Sequence, residues 1–307
     1  MIRRIPAWLF PRLTGAVAWA LAGLVLSLIL GISLMAWPHL SWAAWVGPGP
    51  DGRASNSLDP RSVHLVPLLV GTAARTFLMS LAVIPMGILT AVYLAEYAPS
   101  GSRAAGLLRW LVQVLAGVPS VIFGLFGLGF FVGVVGGGLD RWTGDLASPV
   151  WGRPALLWAS LTMALMTLPV VVVATEEALR SVSGDLRVAA IALGATRLQV
   201  LLRILLPNAL PGMATGVILA IGRASGEVVP LLFTGAAVAT QGSLALNERF
   251  MDLAYQVFVL STQSPDPQAS RPLLLASVWA LVFLSLLLNA GAAILRSRAT
   301  PAAPDRL

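Results

Sequence analysis

Six long apolar stretches constrain this sequence more than any other feature. Each is about as long as a helix must be to cross a bilayer, which takes roughly 20 mainly apolar residues. Four of them carry no charge, the second carries Arg75, and the fifth carries Arg223 and Glu227. The stretches are Thr14–Ala36, Gly71–Ala95, Trp110–Val135, Ala155–Thr175, Pro211–Ala239 and Pro272–Leu295. The pattern predicts an all-α membrane protein with six transmembrane helices.

The composition agrees with this prediction and excludes several functions. The chain is 57% hydrophobic and 11% charged, whereas soluble domains carry about 25% charged residues. It has no cysteine, which excludes a disulfide framework and thiolate metal sites. It has no lysine either, so it contains no phosphate-binding loop of the form GxxxxGK[ST]. No catalytic or metal site is predicted, and ATP hydrolysis would require a separate chain.

Arginines between the apolar stretches predict the orientation, because cytoplasmic segments of membrane proteins carry an excess of basic residues. One face holds Arg3, Arg4, Arg12, Arg103, Arg109, Arg180, Arg187, Arg197, Arg203, Arg296, Arg298 and Arg306. The other face holds half as many: Arg53, Arg61, Arg141, Arg153, Arg249 and Arg271. Both termini are therefore expected in the cytoplasm, and binding to nucleic acid is not expected, since the arginines are not clustered. The first stretch exceeds the 7–15 apolar residues of a secretory signal, which favours a retained helix.

The segment between the fourth and fifth stretches predicts a cytoplasmic helix–turn–helix. Ser183 or Asp185 is suited to cap a short first helix, and Gly194 is suited to close it. Thr196 and Gln199 form a capping-box pattern that opens a second helix. Pro207 and Pro211 are expected to stop that helix and start the fifth span. From periodicity alone, the segment is either a connector lying on the membrane or a helix that docks into a groove of another protein.

The spacing of small and apolar residues in this segment resembles the EAA loop of ABC importer permeases. The resemblance rests on Ala189, Ala190, Gly194, Ile204, Leu206 and Pro207. It implies that these residues, with Asp185, couple the chain to a cytoplasmic ATPase by docking into its cleft. Val188 stands where the family has a glutamate, so a charged contact at that position is not expected.

Charged residues inside membrane helices are costly and mark candidate functional sites. Arg223 and Glu227 lie four residues apart, and the sequence predicts that they share a helical face and pair. They either bind an anion, since guanidinium groups bind oxyanions bidentately, or form a structural ion pair. Arg75 either draws anions inward or extends to lipid headgroups.

Sequence around these residues is similar to the phosphate-importer permease of the PstA type. The similarity rests on residues 222–235, on residues 119–130 with Ser120, on Tyr93–Ala98 and on Leu253–Phe258. The run from Pro230 to Thr234 favours the A-type over the paired C-type permease. The similarity implies a substrate pathway past Arg75, Ser120, Arg223, Glu227 and Thr234.

This resemblance also implies an assembly and a location. The expected partners are a homologous C-type permease subunit forming a heterodimer, two cytoplasmic ATPase subunits that bind ATP and Mg, an extracytoplasmic phosphate-binding protein and membrane lipid. Residues 1–69 are interpreted as the N-terminal tail, first helix and outer loop, 70–295 as the permease core, and 296–307 as a cytoplasmic tail. The expected location is the bacterial inner membrane. Alternative functions are a permease for molybdate or sulfate, an ATP-independent channel or carrier, and a membrane signalling component.

Overall fold

The computed structural model describes residues 9–40, 45, 64–99, 101–144, 148–237 and 244–299. Within these ranges, six helical runs are long and apolar enough to cross a membrane. They are Arg12–His39, Leu65–Tyr97, Ser120–Thr143, Leu156–Ser181, Arg197–Ser225 and Pro267–Gly291. The predicted fold class of an all-α membrane protein with six spans is confirmed. Some positions used in the sequence argument lie outside the described residues: Arg3, Arg4, Arg53, Arg61, Ala239 and the tail after Ala299.

The first two spans differ in how much of them the chain covers. Helix α1 (Leu9–Ala36) packs along α12 (Pro267–Ala299), and no residue of its most apolar window is buried. Helix α2 (Leu65–Val92) continues into a π-helical turn at Tyr93–Tyr97, which ends where Ala98 becomes extended. Side chains of α1 that do not face α12 therefore meet lipid or another chain, while α2 contributes to the core.

Pro119 separates two helices that the sequence joined into one span. Val118 is extended (φ −72°, ψ 129°), because a residue before proline is kept out of the helical region. Helix α3 (Arg103–Gly117) therefore ends, and the expected third span Trp110–Val135 is wrong. The observed span consists of α4 (Ser120–Phe126), a π-helical stretch (Gly127–Gly136) and α5 (Gly137–Thr143).

The helix–turn–helix leads without a break into the fifth span. Helix α7 (Gly184–Ala192) is followed by α8 (Arg197–Val200), a π-helical turn (Leu201–Leu205) and α9 (Leu206–Ser225). Pro207 falls in the first turn of α9 and Pro211 lies inside it, so neither proline stops the helix as expected. The π-helical turn before Pro207 lacks the regular α-helical backbone hydrogen bonds, so there is no such bond for the proline to interrupt.

Helix α6 (Leu156–Ser181) is the centre of the bundle, with two thirds of its apolar window buried (67%). Helices α2 and α9 pack on it through glycines. A Cβ atom on Gly87 would lie 2.6 Å from a Val171 methyl carbon, and one on Gly216 would lie 2.2 Å from Ala174 Cβ. Small residues allow this close approach, which is how membrane helices commonly associate.

After α9 the chain does not continue as one helix. It forms α10 (Val229–Thr234), a two-residue strand β1 (Ala236–Ala237) paired in parallel with β2 (Phe250–Met251), and α11 (Leu253–Thr262). Helix α12 then crosses back. The end of the bundle that carries α7 is here called the α7 end. The other end, where α2 begins and α12 starts, is called the opposite end.

Candidate functional site

The fifth span ends between the two charged residues that the sequence singled out. Helix α9 stops at Ser225, Gly226 closes its last turn, and Pro230 lies in the first turn of α10. Glu227 is therefore outside the helix, and the expectation that Arg223 and Glu227 share a helical face is wrong. Among the described residues, no ion pair joins them. Glycine and proline explain the break, since neither favours a helix interior.

Arg223 lies on the last turn of α9 and is exposed, while Glu227 is half-buried. Neighbouring Ala220 and Ala224 are buried in the core cluster, so the exposed Arg223 lies at the edge of the face that α9 packs into the core. On its Gly222 side, α9 approaches α12 closely, and a Cβ on Gly222 would lie 3.3 Å from Asn289 Oδ1. The end of α9 thus brings a cation and a half-buried carboxylate to one helix break.

Arg75 is completely buried (0% exposed), which excludes the interpretation that it extends to lipid headgroups. Its Nε donates a hydrogen bond to Asp252 Oδ2 at 3.0 Å, and the Asp252 side chain is also fully buried. The sequence analysis did not identify Asp252. The sequence did offer a signal for this partner. A buried Arg requires a partner of opposite charge, and Asp252 is a carboxylate in the N-cap position of the apolar helix α11.

Both oxygens of Asp252 are engaged. Oδ1 accepts from the backbone N–H groups of Ala254 and Tyr255 at 3.0 and 3.2 Å, which caps α11. Oδ2 accepts from Arg75 and lies 3.2 Å from the Thr72 hydroxyl. The Thr72 oxygen in turn accepts from the Leu253 N–H at 2.9 Å. The ion pair is therefore part of a network that fixes α11 to α2.

Arg75 also reaches the end of the fifth span. Its Nη1 donates to the carbonyl oxygen of Ala224 at 3.2 Å. Arg75 is ten residues after Leu65, or about 15 Å along α2 at 1.5 Å per residue. This is half of the thickness of a bilayer's hydrocarbon core, which is about 30 Å, so Arg75 and the end of α9 lie well away from the start of α2.

The two predicted pathway hydroxyls lie on different helices, Ser120 on α4 and Thr234 on α10. Ser120 is the first residue of α4 and is half-buried. Thr234 is completely buried, its hydroxyl donates to Pro230 O at 2.8 Å, and its methyl group faces Gly127. Helix α10 begins against Gly124, one turn beyond Ser120. Ser120 and Thr234 therefore belong to two helices that pack against each other.

The predicted caps of the helix–turn–helix are confirmed. The Ser183 hydroxyl accepts from Asp185 N–H at 3.3 Å, so Ser183, of the two candidates, caps α7. Gly194 has φ +84°, the left-handed conformation expected where the helix closes. Thr196 and Gln199 exchange both capping-box hydrogen bonds, at 2.8 and 3.3 Å.

Helix α7 presents an apolar surface. Val188 is 67% exposed and Leu193 is 89% exposed, and Leu186 and Ile191 are also exposed. Of the residues predicted for coupling, Asp185, Ala189, Gly194 and Pro207 are exposed, Ile204 and Leu206 are half-buried, and Ala190 is buried. The Val188 side chain at the position expected to be glutamate is directly accessible.

Ion pairs that the sequence analysis missed surround the α7 end. Arg187 Nη2 in α7 lies 2.6 Å from Glu96 Oε1 at the end of α2. Glu176 Oε1 in α6 lies 3.0 Å from Arg109 Nε and 2.6 Å from Arg180 Nη2. The pairs Arg109–Glu176 and Arg187–Glu96 join residues 67 and 91 positions apart, so periodicity gives no signal for them. Glu176 and Arg180 lie four residues apart on α6, a spacing that periodicity does indicate. Across the described ranges, no three His, Cys, Asp or Glu side chains are close enough to hold a metal.

Comparison with known proteins gives a consistent result. The sequence profile of the "Binding-protein-dependent transport system inner membrane component" family matches residues 63–301. The chain is 31% identical over 236 residues to "Phosphate transport system permease protein PstA 1" of Mycobacterium tuberculosis, covering 76% of this chain and 70% of that protein. It is 38% identical over 158 residues to "Probable ABC transporter permease protein YqgI" of Bacillus subtilis, covering 52% of this chain and about half (48%) of that protein.

Solved structures share the fold. A chain of a bacterial alginate ABC transporter superposes with a TM-score of 0.64 at 18% identity, covering 97% of this chain and 96% of that chain. A chain of the MetNI methionine ABC transporter, in an inward-facing conformation, gives a TM-score of 0.57 at 19% identity, covering 77% of this chain and 96% of that chain. At these identities the likeness concerns the fold alone.

Proposed function

The chain belongs to the family of binding-protein-dependent transport system inner membrane components and is a permease subunit of an ABC importer, and from this premise we propose that its cargo is inorganic phosphate. The observation that carries the proposal is the position of Arg223, exposed at a helix break well away from the start of α2. A charged side chain within a membrane span needs a polar environment. A water-filled pathway on the exposed side of α9 would supply it.

The chemistry of Arg223 suits an oxyanion. A guanidinium group donates two parallel hydrogen bonds to a phosphate, and it stays charged at all physiological pH values. Glu227 is half-buried and outside the helix, with no ion-pair partner among the described residues, so Arg223 is free of a competing carboxylate bond from it. Glu227 then places a negative charge beside the pathway. Ser120 offers a half-buried hydroxyl at the start of α4, whereas Thr234 is buried in α10 with its hydroxyl bonded to Pro230 O.

The relatives support phosphate as cargo. Proteins from Mycobacterium leprae and Xylella fastidiosa are also called phosphate transport system permease protein PstA, at 32% and 31% identity over about three quarters of this chain. The functional residues named above fall inside the matched family region, residues 63–301.

Coupling to ATP hydrolysis is assigned to the α7 end. We place this end in the cytoplasm on the arginine distribution. Exposed apolar side chains on a short helix, here Leu186, Val188, Ile191 and Leu193, suit docking into a groove on a partner. Two ATPase subunits carrying ATP and Mg, with Asp185 and Ala189 at the contact, would move α7. The motion would pass through the turn to α8 and then to α9, because the π-helical turn joins α8 to α9 without a break.

The remaining partners follow from the pathway. A pathway on the exposed side of α9 is incomplete in one chain, so a C-type permease subunit would form its other wall. An extracytoplasmic phosphate-binding protein would deliver the anion at the opposite end.

The test is uptake of radiolabelled phosphate into proteoliposomes containing this chain, its partner permease, the ATPase and the binding protein. Replacing Arg223 with Gln should reduce uptake by about 10- to 100-fold, since a hydrogen bond to a charged group contributes about 1.5–3 kcal/mol. Arg223→Lys should retain part of the activity, and Arg271→Gln at the opposite end is the matched control. Normal uptake by Arg223→Gln in an assembled complex would remove Arg223 from the pathway.

Competition decides the cargo. Uptake of phosphate that is insensitive to excess molybdate and sulfate is expected. Competition by either of these would favour another oxyanion, and flux without ATP would favour a channel or carrier.

A further inference from the structure

We propose that Arg75 is a positioning residue, which fixes the helix break carrying Arg223 and Glu227 in the geometry that the anion pathway requires. This inference rests on the proposed function and assigns to Arg75 a role through its neighbours, not a contact with the anion. The hydrogen bonds of the Arg75 guanidinium group support this inference.

One carbonyl oxygen connects Arg75 to both charged residues. The oxygen of Ala224 accepts a hydrogen bond from Arg75 Nη1 at 3.2 Å and from the backbone N–H of Glu227 at 3.2 Å. Arg223 is the adjacent residue. Carbonyls in the last turn of a helix lack helical donors, so Arg75 supplies one where the fifth span stops.

The guanidinium is itself held in place from two directions. Asp252 accepts its Nε at 3.0 Å, and the same carboxylate caps α11. Arg75 therefore joins three elements that are far apart in sequence: α2, the end of α9 and the start of α11. With both side chains of the pair at 0% exposure, the arrangement has little freedom to shift, because separating buried charges is strongly unfavourable.

Full burial argues against direct anion binding by Arg75. Its Nη2 has no hydrogen-bond partner among the described residues but is buried, so an anion could reach it only by displacing the helices packed over it. Arg223, one residue from the shared carbonyl, is exposed and needs no such displacement. Movement of α11 relative to α2 would instead shift Arg223, because Arg75 connects Asp252 of α11 to the carbonyl of Ala224, the residue next to Arg223.

Transport kinetics separate positioning from binding. In the assembled complex, Asp252→Asn should raise KM for the transported anion by about tenfold with kcat changed less than about twofold, as expected for a misplaced binding group. If Arg75 bound the anion directly, removal of the competing carboxylate would lower KM, which would overturn the proposal. Arg75→Lys keeps the positive charge but lacks the planar guanidinium that donates to both Asp252 and the Ala224 carbonyl. It should therefore also raise KM.

A double variant that removes both buried charges controls for misfolding. The double variant Arg75→Gln, Asp252→Asn leaves no unpaired buried charge and should assemble even if a single variant does not. Its KM should remain high. Restoration of a normal KM would mean that only charge balance matters, and the proposal would fail.

A second readout is independent of the cargo. The chain has no cysteine, so a single Gly226→Cys reporter at the helix break can be labelled with a charged thiol reagent. A Cβ atom on Gly226 would have no other atom within 4 Å, so the substitution fits without strain. The labelling rate without any anion should change by at least about threefold in the Asp252→Asn and double-variant backgrounds, and a Gly106→Cys reporter on α3 should not respond.

Both outcomes of the labelling experiment are decisive. Equal rates at residue 226 in all backgrounds would overturn the positioning role. A changed rate in a complex that does not transport phosphate would uphold it while removing the proposed cargo.

Discussion

Arg187 in α7 and Glu96 at the end of α2 form an ion pair with 2.6 Å between Nη2 and Oε1. The pair connects the helix proposed to contact the ATPase directly to a membrane span. Side-chain exposures of 38% for Arg187 and 13% for Glu96 keep it accessible to solvent at its edge. It lies beside a cavity of about 240 Å³ that is also lined by Arg197 and Tyr97.

Breaking this pair should weaken coupling more than folding. A partly exposed ion pair contributes about 0.5–1 kcal/mol, so Glu96→Gln should reduce anion uptake per ATP hydrolysed by about 2- to 5-fold while the melting temperature changes little. Uptake and ATPase rate measured on the same proteoliposomes give the ratio. Arg180→Gln, which removes an exposed pair within α6, is the control. An unchanged ratio in Glu96→Gln would show that this pair does not transmit movement.

The capping box of α8 should determine the local order of the helix–turn–helix. Thr196→Ala removes the acceptor of the Gln199 N–H and should cost about 0.5–2 kcal/mol. Hydrogen exchange should increase over residues 193–200 and remain unchanged in α6. Thr196→Ser keeps the hydroxyl and is the matched control. Equal exchange in both variants would contradict the prediction.

The contact between α9 and α6 should not tolerate a larger residue. A Cβ on Gly216 would lie 2.2 Å from Ala174 Cβ, so Gly216→Val should destabilise the protein by about 1–3 kcal/mol through overpacking. Thermal unfolding in detergent measures the change. Gly106→Ala, where nothing lies within 4 Å, should be neutral or slightly stabilising. A melting temperature for Gly216→Val equal to that of Gly106→Ala would show that α9 and α6 are not packed this way.

Asp140 should hold the segment before α6 in place. Its carboxylate is 2% exposed and accepts the N–H groups of Val150, Trp151 and Gly152 at 3.1, 2.8 and 2.6 Å. Asp140→Asn loses one acceptor and turns an N–H₂ group toward these donors. The expected result is faster proteolysis between residues 148 and 155 in reconstituted protein. Arg141→Gln changes an exposed neighbouring residue and should leave the cleavage rate unchanged. Equal cleavage rates in the two variants would refute the role of Asp140.

The sequence determined those features that depend on local pattern. Apolar length fixed the number of spans, because a helix must satisfy its backbone within itself to cross lipid. Ser183, Gly194 and the Thr196–Gln199 box set the limits of the helix–turn–helix, since each acts through hydrogen bonds within a few residues. The resemblance of the same segment to the EAA loop indicated the importer permease family, which the family match confirms.

Tertiary structure decided the features that depend on distant partners. Pro207 stays helical because a π-helical turn directly precedes it, and Pro211 is accommodated inside α9, while the chain breaks at Gly226, so Arg223 and Glu227 separate. Asp252 meets Arg75 across 177 positions, and Arg187 meets Glu96 across 91. A buried charge is stable only beside its partner, and which partner it meets depends on how the helices pack, a property that no local pattern encodes.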